Sequence, residues 1–163
     1  MKNAHAGIIE YLGSRAIAVV STVSKEGLPQ AATVFYWVDE TVHGGFSLYF
    51  VTRRHTRKFS NIMHNPAVAV VVGTDMDPHT VQIEGEAELV EVGESVTQLG
   101  RLAMLVGKHP KVAALYTGAF YPKDPFSGIE GKDFAVFRVS PKWVRYMTYD
   151  EEKRDIVYLQ TLP

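Results

Sequence analysis

The chain has no cysteine among its 163 residues. That excludes disulfides, thiolate nucleophiles, iron-sulfur clusters and thiolate zinc sites, and leaves only histidine and carboxylates to hold a metal. Excess charge is nearly absent too: 17 Lys plus Arg against 18 Asp plus Glu leave a net charge of -1. No global field draws such a chain to nucleic acid or to an anionic membrane, so neither is expected as a partner. No segment approaches the ~20 apolar residues of a membrane span, and Asn3, His5 and Glu10 interrupt the stretch that a signal peptide would keep apolar. A cytoplasmic location is the expectation. Gly-x-Ser-x-Gly, Walker and Gly-x-Gly-x-x-Gly patterns are all missing, which leaves hydrolase, P-loop and Rossmann readings without a foothold. None of the 6 histidines stands four residues from another; no metal site is expected.

What is present is material for one packed domain, with 46% hydrophobic and 11% aromatic residues. Ile8, Ile9, Tyr11 and Leu12 share one side of a helical wheel, so residues 3–14 read as a short amphipathic helix ending at Gly13. Residues 16–24 are rich in Val, Ile and Thr and precede Lys25-Glu26-Gly27, a hairpin turn whose return strand is 30–38. Residues 46–52 alternate as a third strand. Thr56 then reads as the N-cap of a helix carrying Phe59, Ile62 and Met63 on one face, terminated by Asn65-Pro66. The apolar run 67–72 predicts a buried strand, and 81–89 alternates as a half-wet one.

Helical spacing recurs in 96–106, a second short helix is expected at 111–117, and the Pro- and Gly-rich stretch 121–133 reads as an exposed loop. Two strands, 134–139 and 143–149, are expected on either side of Ser140-Pro141, with a last one at 156–159. The result is mainly β with short helices. Strands spaced by hairpin signals, with helices inserted between them, predict an antiparallel barrel within a single domain, 1–163.

The most informative stretch is LYFVTRRHTRKFSN, which gathers Thr52, Arg53, Arg54, Thr56, Arg57 and Lys58 around a strand-to-helix junction. Such cations oppose the positive end of the helix dipole. Two readings fit: a solvated basic helix end, or a site for a phosphate, whose charge matches guanidinium, ammonium, hydroxyl and helix-end N–H donors.

On this segment, together with IAVVSTVSKEGLPQAATVFYWVDE and VQIEGEAELVE, the chain resembles the pyridoxamine 5'-phosphate oxidase-like family of FMN-binding split barrels. The resemblance implies a Greek-key antiparallel split β-barrel. It also implies FMN bound at a homodimer interface, and an oxidoreductase passing hydride or electrons between the flavin and a small-molecule substrate or electron donor. It places Thr52, Thr56, Arg57 and Lys58 on the flavin phosphate. Thr80 and Gln82 fall on the strand beside the flavin ring, with a wet-face surface role as the alternative. Trp143, Tyr146 and Met147 fall where the family presents an aromatic from the partner subunit, with core packing as the alternative. Phe35, Tyr36 and Trp37 are consecutive on a strand, so only one side of the trio can face a ring.

Ala31 and Tyr36 stand where the oxidase proper has Arg and Lys, and the C-terminal YMTYDEEKRDIVYLQTLP lacks its Arg-x-His signature. The resemblance therefore supports the flavin site and not pyridoxamine phosphate as substrate. Since a flavin carries its own chemistry, no catalytic acid or base is assigned. The alternatives are a deazaflavin-dependent reductase on the same fold, whose acidic cofactor tail would engage Arg53 and Arg54, and a non-catalytic flavin-binding or stress-response module.

Overall fold

The structure, a computed structural model, describes residues 4–41, 45–73, 78–90, 134–150 and 155–161. The expected helices 96–106 and 111–117 and the expected loop 121–133 lie outside them. The elements are α1 (Ala4–Gly13), β1 (Ile17–Val23), β2 (Pro29–Glu40), β3 (Phe46–Arg53), α2 (Arg57–His64), β4 (Ala67–Val72), β5 (Thr80–Leu89), β6 (Phe134–Asp150) and β7 (Asp155–Thr161). All pairings are antiparallel, in the order β3-β2-β1-β4-β5-β6-β7, and β3 also pairs with β6. That last ladder closes β1 to β6 into a six-stranded barrel, while β7 extends the sheet from the far half of β6. Among the described residues, no helix is long and apolar enough to cross a membrane.

Strand alternation decides what fills the barrel. Val20, Tyr36, Leu48, Phe50, Val70, Val72, Val81, Ile83 and Phe137 point inward and are essentially inaccessible. Their strand neighbours point outward, and not all of these are wet. Trp37, Tyr49, Val90 and Val136 form a second buried cluster on the outer face, with the Trp37 and Tyr49 rings stacked at 5.8 Å.

The helices plug the two ends. α1 inserts Ile8 and Leu12, and the Tyr36 hydroxyl donates to the Leu12 carbonyl at 2.6 Å. Burial pushes the Tyr36 phenol well above its ordinary range, so it stays a neutral donor there. At the other end α2 buries Ile62 and sets Phe59 against Phe137, with ring centres 5.7 Å apart.

One expected boundary is corrected. Residues 134–139 and 143–149 form a single strand, β6, that runs through Ser140-Pro141. Gly85 faces Pro141 and Glu84 faces Trp143, so Lys142 is an extra residue and the ladder shifts by a bulge. A bulge tolerates a residue without an N–H and bends the strand without ending it. Gly85 makes this possible, because a Cβ there would meet the Ser140 carbonyl oxygen at 2.4 Å.

Gly73, with φ +89, has a similar role at the α1 end: a Cβ would come within 2.2 Å of the His79 carbonyl oxygen and 2.4 Å of the Tyr11 hydroxyl. Those two atoms bond each other at 2.6 Å and tie α1 to the barrel. Gly73→Ala is therefore expected to cost about 2–4 kcal/mol, lowering Tm by roughly 5–15 °C. Gly7→Ala, in open space on α1, should raise Tm slightly. Thermal unfolding followed by circular dichroism checks both signs.

Candidate functional site

β3 ends at Thr52 and Arg53, the chain turns, and α2 begins at Arg57 with Thr56 as its N-cap. The Thr56 backbone is extended, with φ -86 and ψ 152, and its Oγ1 accepts from the Phe59 N–H at 3.4 Å. The same hydroxyl donates to the Arg53 carbonyl at 2.8 Å. A hydroxyl has one proton, so the 3.0 Å contact between Thr52 Oγ1 and Thr56 Oγ1 is donated by Thr52. Thr52 in turn accepts from Lys58 Nζ at 3.3 Å. The chain of donors thus starts at the ammonium, passes through two hydroxyls and ends on a carbonyl.

The electrostatics of this corner are one-sided. The first turn of α2 has no acidic residue, although an acidic residue is what a helix N-terminus favours. Lys58 is half-buried and has no carboxylate partner among the described residues. Burial holds its ammonium below the ordinary lysine range. Arg57 is exposed beside it.

A cavity of about 200 Å³ opens here, bounded by Thr56, Arg57 and Lys58 on the helix side and by Thr22, Gln30, Ala31 and Ala32 on β1 and β2. The backbone N–H groups at the start of α2 lack carbonyl partners one turn earlier, as at any helix start. Cationic, hydroxyl and amide donors converging on a small cavity with no carboxylate to balance them fit a phosphate group.

Asn61 completes the corner, and the sequence reading passed over it. It is buried, and its Nδ2 donates to Thr22 Oγ1 at 2.9 Å and to Gln30 Oε1 at 3.0 Å. Lying one turn after Arg57 and Lys58, it fixes α2 against the cavity floor. The available signal was a polar residue adjacent to the apolar Ile62 on the helix face, but an Asn within a helix reads first as a surface residue.

The other expected site residues lie elsewhere on the barrel. Thr80 donates its hydroxyl to the Gly73 carbonyl at 3.2 Å, at the α1 end. Tyr146 packs at that same end, its ring 5.5 Å from Tyr11 and 6.1 Å from His79. Gln82 and Trp143 are half-buried on the outer face of β5 and β6. They are joined by Arg145, whose Nη2 donates to Gln82 Oε1 and whose guanidinium lies 5.5 Å from the Trp143 ring centre. Of the aromatic trio, Tyr36 points inward while Phe35 and Trp37 point outward. Arg54 lies over the Phe59 ring at 5.5 Å. Among the described residues, no three His, Asp or Glu side chains converge as metal ligands would.

The family model for pyridoxamine 5'-phosphate oxidase matches residues 4–148. No curated protein matches the chain. Similar solved structures include a pyridoxamine 5'-phosphate oxidase-related, FMN binding protein of Nostoc punctiforme PCC 73102, 14% identical, with a TM-score of 0.59 over 99% of this chain and 96% of that one. A heme binding protein of Mycobacterium smegmatis is 20% identical, with a TM-score of 0.61 over 99% of this chain and 59% of that one. An F420 reductase is 22% identical, with a TM-score of 0.57 over 83% of this chain and 93% of that one. At these identities the likeness speaks for the fold.

Proposed function

The chain belongs to the pyridoxamine 5'-phosphate oxidase family, and we propose that it is an FMN-binding flavoprotein that passes hydride or electrons between the flavin and a small molecule. The observation that carries this reading is Lys58: a half-buried ammonium with no carboxylate partner among the described residues, bonded to the Thr52 hydroxyl beside the cavity that Thr22, Gln30, Ala31, Ala32, Thr56 and Arg57 line. An anion seated against Thr52, Thr56, Arg57 and Lys58 offsets that desolvated charge. When bound, the flavin supplies the redox chemistry, and the protein's part is to hold and orient it and to set its electrostatic surroundings.

A deazaflavin with an acidic tail is the rival ligand, since Arg54, exposed and lying over the Phe59 ring, keeps its in-plane N–H donors for a carboxylate. Haem is less favoured because His79 packs in one ring cluster with Tyr11 and Tyr146 at the α1 end, its carbonyl bonded by the Tyr11 hydroxyl. Pyridoxamine phosphate is less favoured as substrate because Ala31 has no charge to offer and Tyr36 is buried against Leu12. The mass of the chromophore that co-purifies separates these ligands directly. Bleaching of that chromophore by a reduced nicotinamide then separates an oxidoreductase from a flavin-binding module.

We further propose a homodimer. The outward strand face shows Ile17, 44% exposed, directly opposite the half-buried Phe35. Val19 and Val71 continue this apolar surface toward Gln82. A two-fold interface would cover it. Of the two aromatics expected to meet a flavin across that interface, Trp143 faces outward and is the one available.

The lowered Lys58 pKa gives the binding a pH signature. A bound phosphate favours the charged amine, so binding raises the Lys58 pKa back toward its ordinary value. FMN affinity is then full below the free protein's Lys58 pKa and declines as pH rises through it. Titrations between about pH 7 and about pH 10 should show this decline in the wild type and lose it in Lys58→Met. A wild-type affinity flat across the window would count against an amine-phosphate contact.

A further inference from the structure

Thr22 and Gln30 face each other across the β1–β2 ladder. Gln30 has the strand parity of Val34 and Tyr36 on β2, so its side chain turns to the inside of the barrel's α2 end, where it is half-buried. The buried Asn61 carboxamide of α2 bridges the pair, giving one Nδ2 proton to Thr22 Oγ1 at 2.9 Å and the other to Gln30 Oε1 at 3.0 Å. Gln30 is thus held by its oxygen, and its Nε2, with two protons, is left for the cavity that the residue lines.

Among the described residues on the cavity wall, no other neutral side chain has an uncommitted proton. Ala31 and Ala32 have no polar side-chain atom, the Thr22 hydroxyl donates to the Gln30 carbonyl at 3.4 Å, and the Thr56 hydroxyl donates to the Arg53 carbonyl at 2.8 Å. Either threonine can donate to an anion only by giving up a bond it already has. Gln30 can do so with every existing bond kept. Arg57 and Lys58 stand on the helix side of the same cavity, so an anion seated between α2 and β2 meets cations on one side and a neutral amide on the other. A carboxamide turned the opposite way would face that anion with its oxygen and repel it, so the turn that Asn61 imposes on Gln30 decides the sign of the contact.

Resting on the FMN reading above, we propose that Gln30 is a further ligand of the phosphate, donating Nε2–H to one of its oxygens, and that Asn61 is the positioning residue that turns the carboxamide to present a donor. The contact is made to the phosphate alone. It therefore adds to the affinity for FMN and leaves that for riboflavin unchanged, which a purely structural role in joining α2 to the barrel would not do.

The test is titration of wild type, Gln30→Met and Gln30→Glu with FMN and with riboflavin, each variant checked for its fold by a melting curve. Gln30→Met keeps the length of the side chain without the donor, and is expected to weaken FMN about tenfold with riboflavin unchanged. Gln30→Glu keeps an oxygen for Asn61 and turns a negative charge toward the phosphate, so it should weaken FMN more than Met does. Asn61→Leu, with Asn61→Asp as the second variant should Leu not fold, is expected to weaken FMN in the presence of Gln30 and to do so much less on top of Gln30→Met, since it acts through that residue. Unchanged FMN affinity in Gln30→Met, or an equal loss of FMN and riboflavin in it, would overturn the ligand role. An Asn61 effect that adds in full to Gln30→Met would overturn the positioning role. Failure of the wild type to bind FMN at all would overturn the reading beneath both, and shows in the first titration before any variant is compared.

Discussion

Replacing Arg57 and Lys58 together by alanine is expected to lower FMN affinity by about two to four orders of magnitude with the barrel intact. The estimate follows from two charge-assisted contacts at roughly 1.5–3 kcal/mol each, with every ~1.4 kcal/mol worth a factor of ten. The fold should survive because Arg57 is exposed and the core contacts of α2 are made by Phe59, Asn61 and Ile62. Removing the half-buried Lys58 charge also relieves a desolvation cost, so Tm should hold or rise slightly. Fluorescence titration with FMN alongside a melting curve checks both parts. Retained affinity in the double variant would reassign the segment as a solvated helix end.

The second large effect separates two phenylalanines on one sheet. Phe50 is 1% exposed, stacked on Phe137 with ring centres 5.5 Å apart. Phe50→Asp puts a carboxylate into the barrel's apolar centre and removes a large side chain, together worth more than ~4 kcal/mol. Against a typical total of about 5–15 kcal/mol, this variant should be largely unfolded or aggregated. Phe35 faces outward opposite Ile17 and is only half-buried, so Phe35→Asp should fold with a far smaller loss of Tm. If the outer face is the proposed two-fold interface, Phe35→Asp should also sediment as a monomer. A folded dimeric Phe35→Asp would move the interface off this face.

Local signals account for what was legible beforehand. The Thr56 cap, the Lys25-Glu26-Gly27 turn and the alternation of 81–89 depend on residues a few positions apart, and the structure has a capped α2, a positive φ at Gly27 and β5 at those places. The ring of β ladders is less local, yet hairpin spacing pointed to it because three of its ladders, β1–β2, β2–β3 and β4–β5, join strands close in sequence.

What stayed hidden depends on register. Which of Phe35 and Phe50 points inward depends on the registers of the β1–β2, β2–β3 and β3–β6 ladders together, and the last of these pairs residues far apart in the chain. Ser140-Pro141 looked like a strand end because proline lacks a ladder donor, and only the facing Gly85 turns it into a bulge. The outer cluster of Trp37 and Tyr49 is buried within the single chain, so these two aromatics do not by themselves call for a partner.

The candidate site divides in the same way. Thr52, Thr56 and Lys58 lie within seven residues and one strand-to-helix turn, and the structure joins them in one hydrogen-bonded chain. The floor supplied by Asn61, Thr22 and Gln30 crosses 31 to 39 positions of sequence, and the Gln82 to Arg145 contact crosses 63. No spacing rule reaches that far. Tyr146, one residue from Arg145, has the opposite parity on β6, and its ring packs on Tyr11.

The most direct measurement is a paired titration of the flavin-free protein with FMN and with riboflavin, which differ only by the phosphate. The account predicts about one FMN bound per chain and riboflavin binding weaker by at least about a hundredfold, the worth of the phosphate contacts at Thr52, Thr56, Arg57 and Lys58. Equal affinities for the two, or no binding of either, would contradict it.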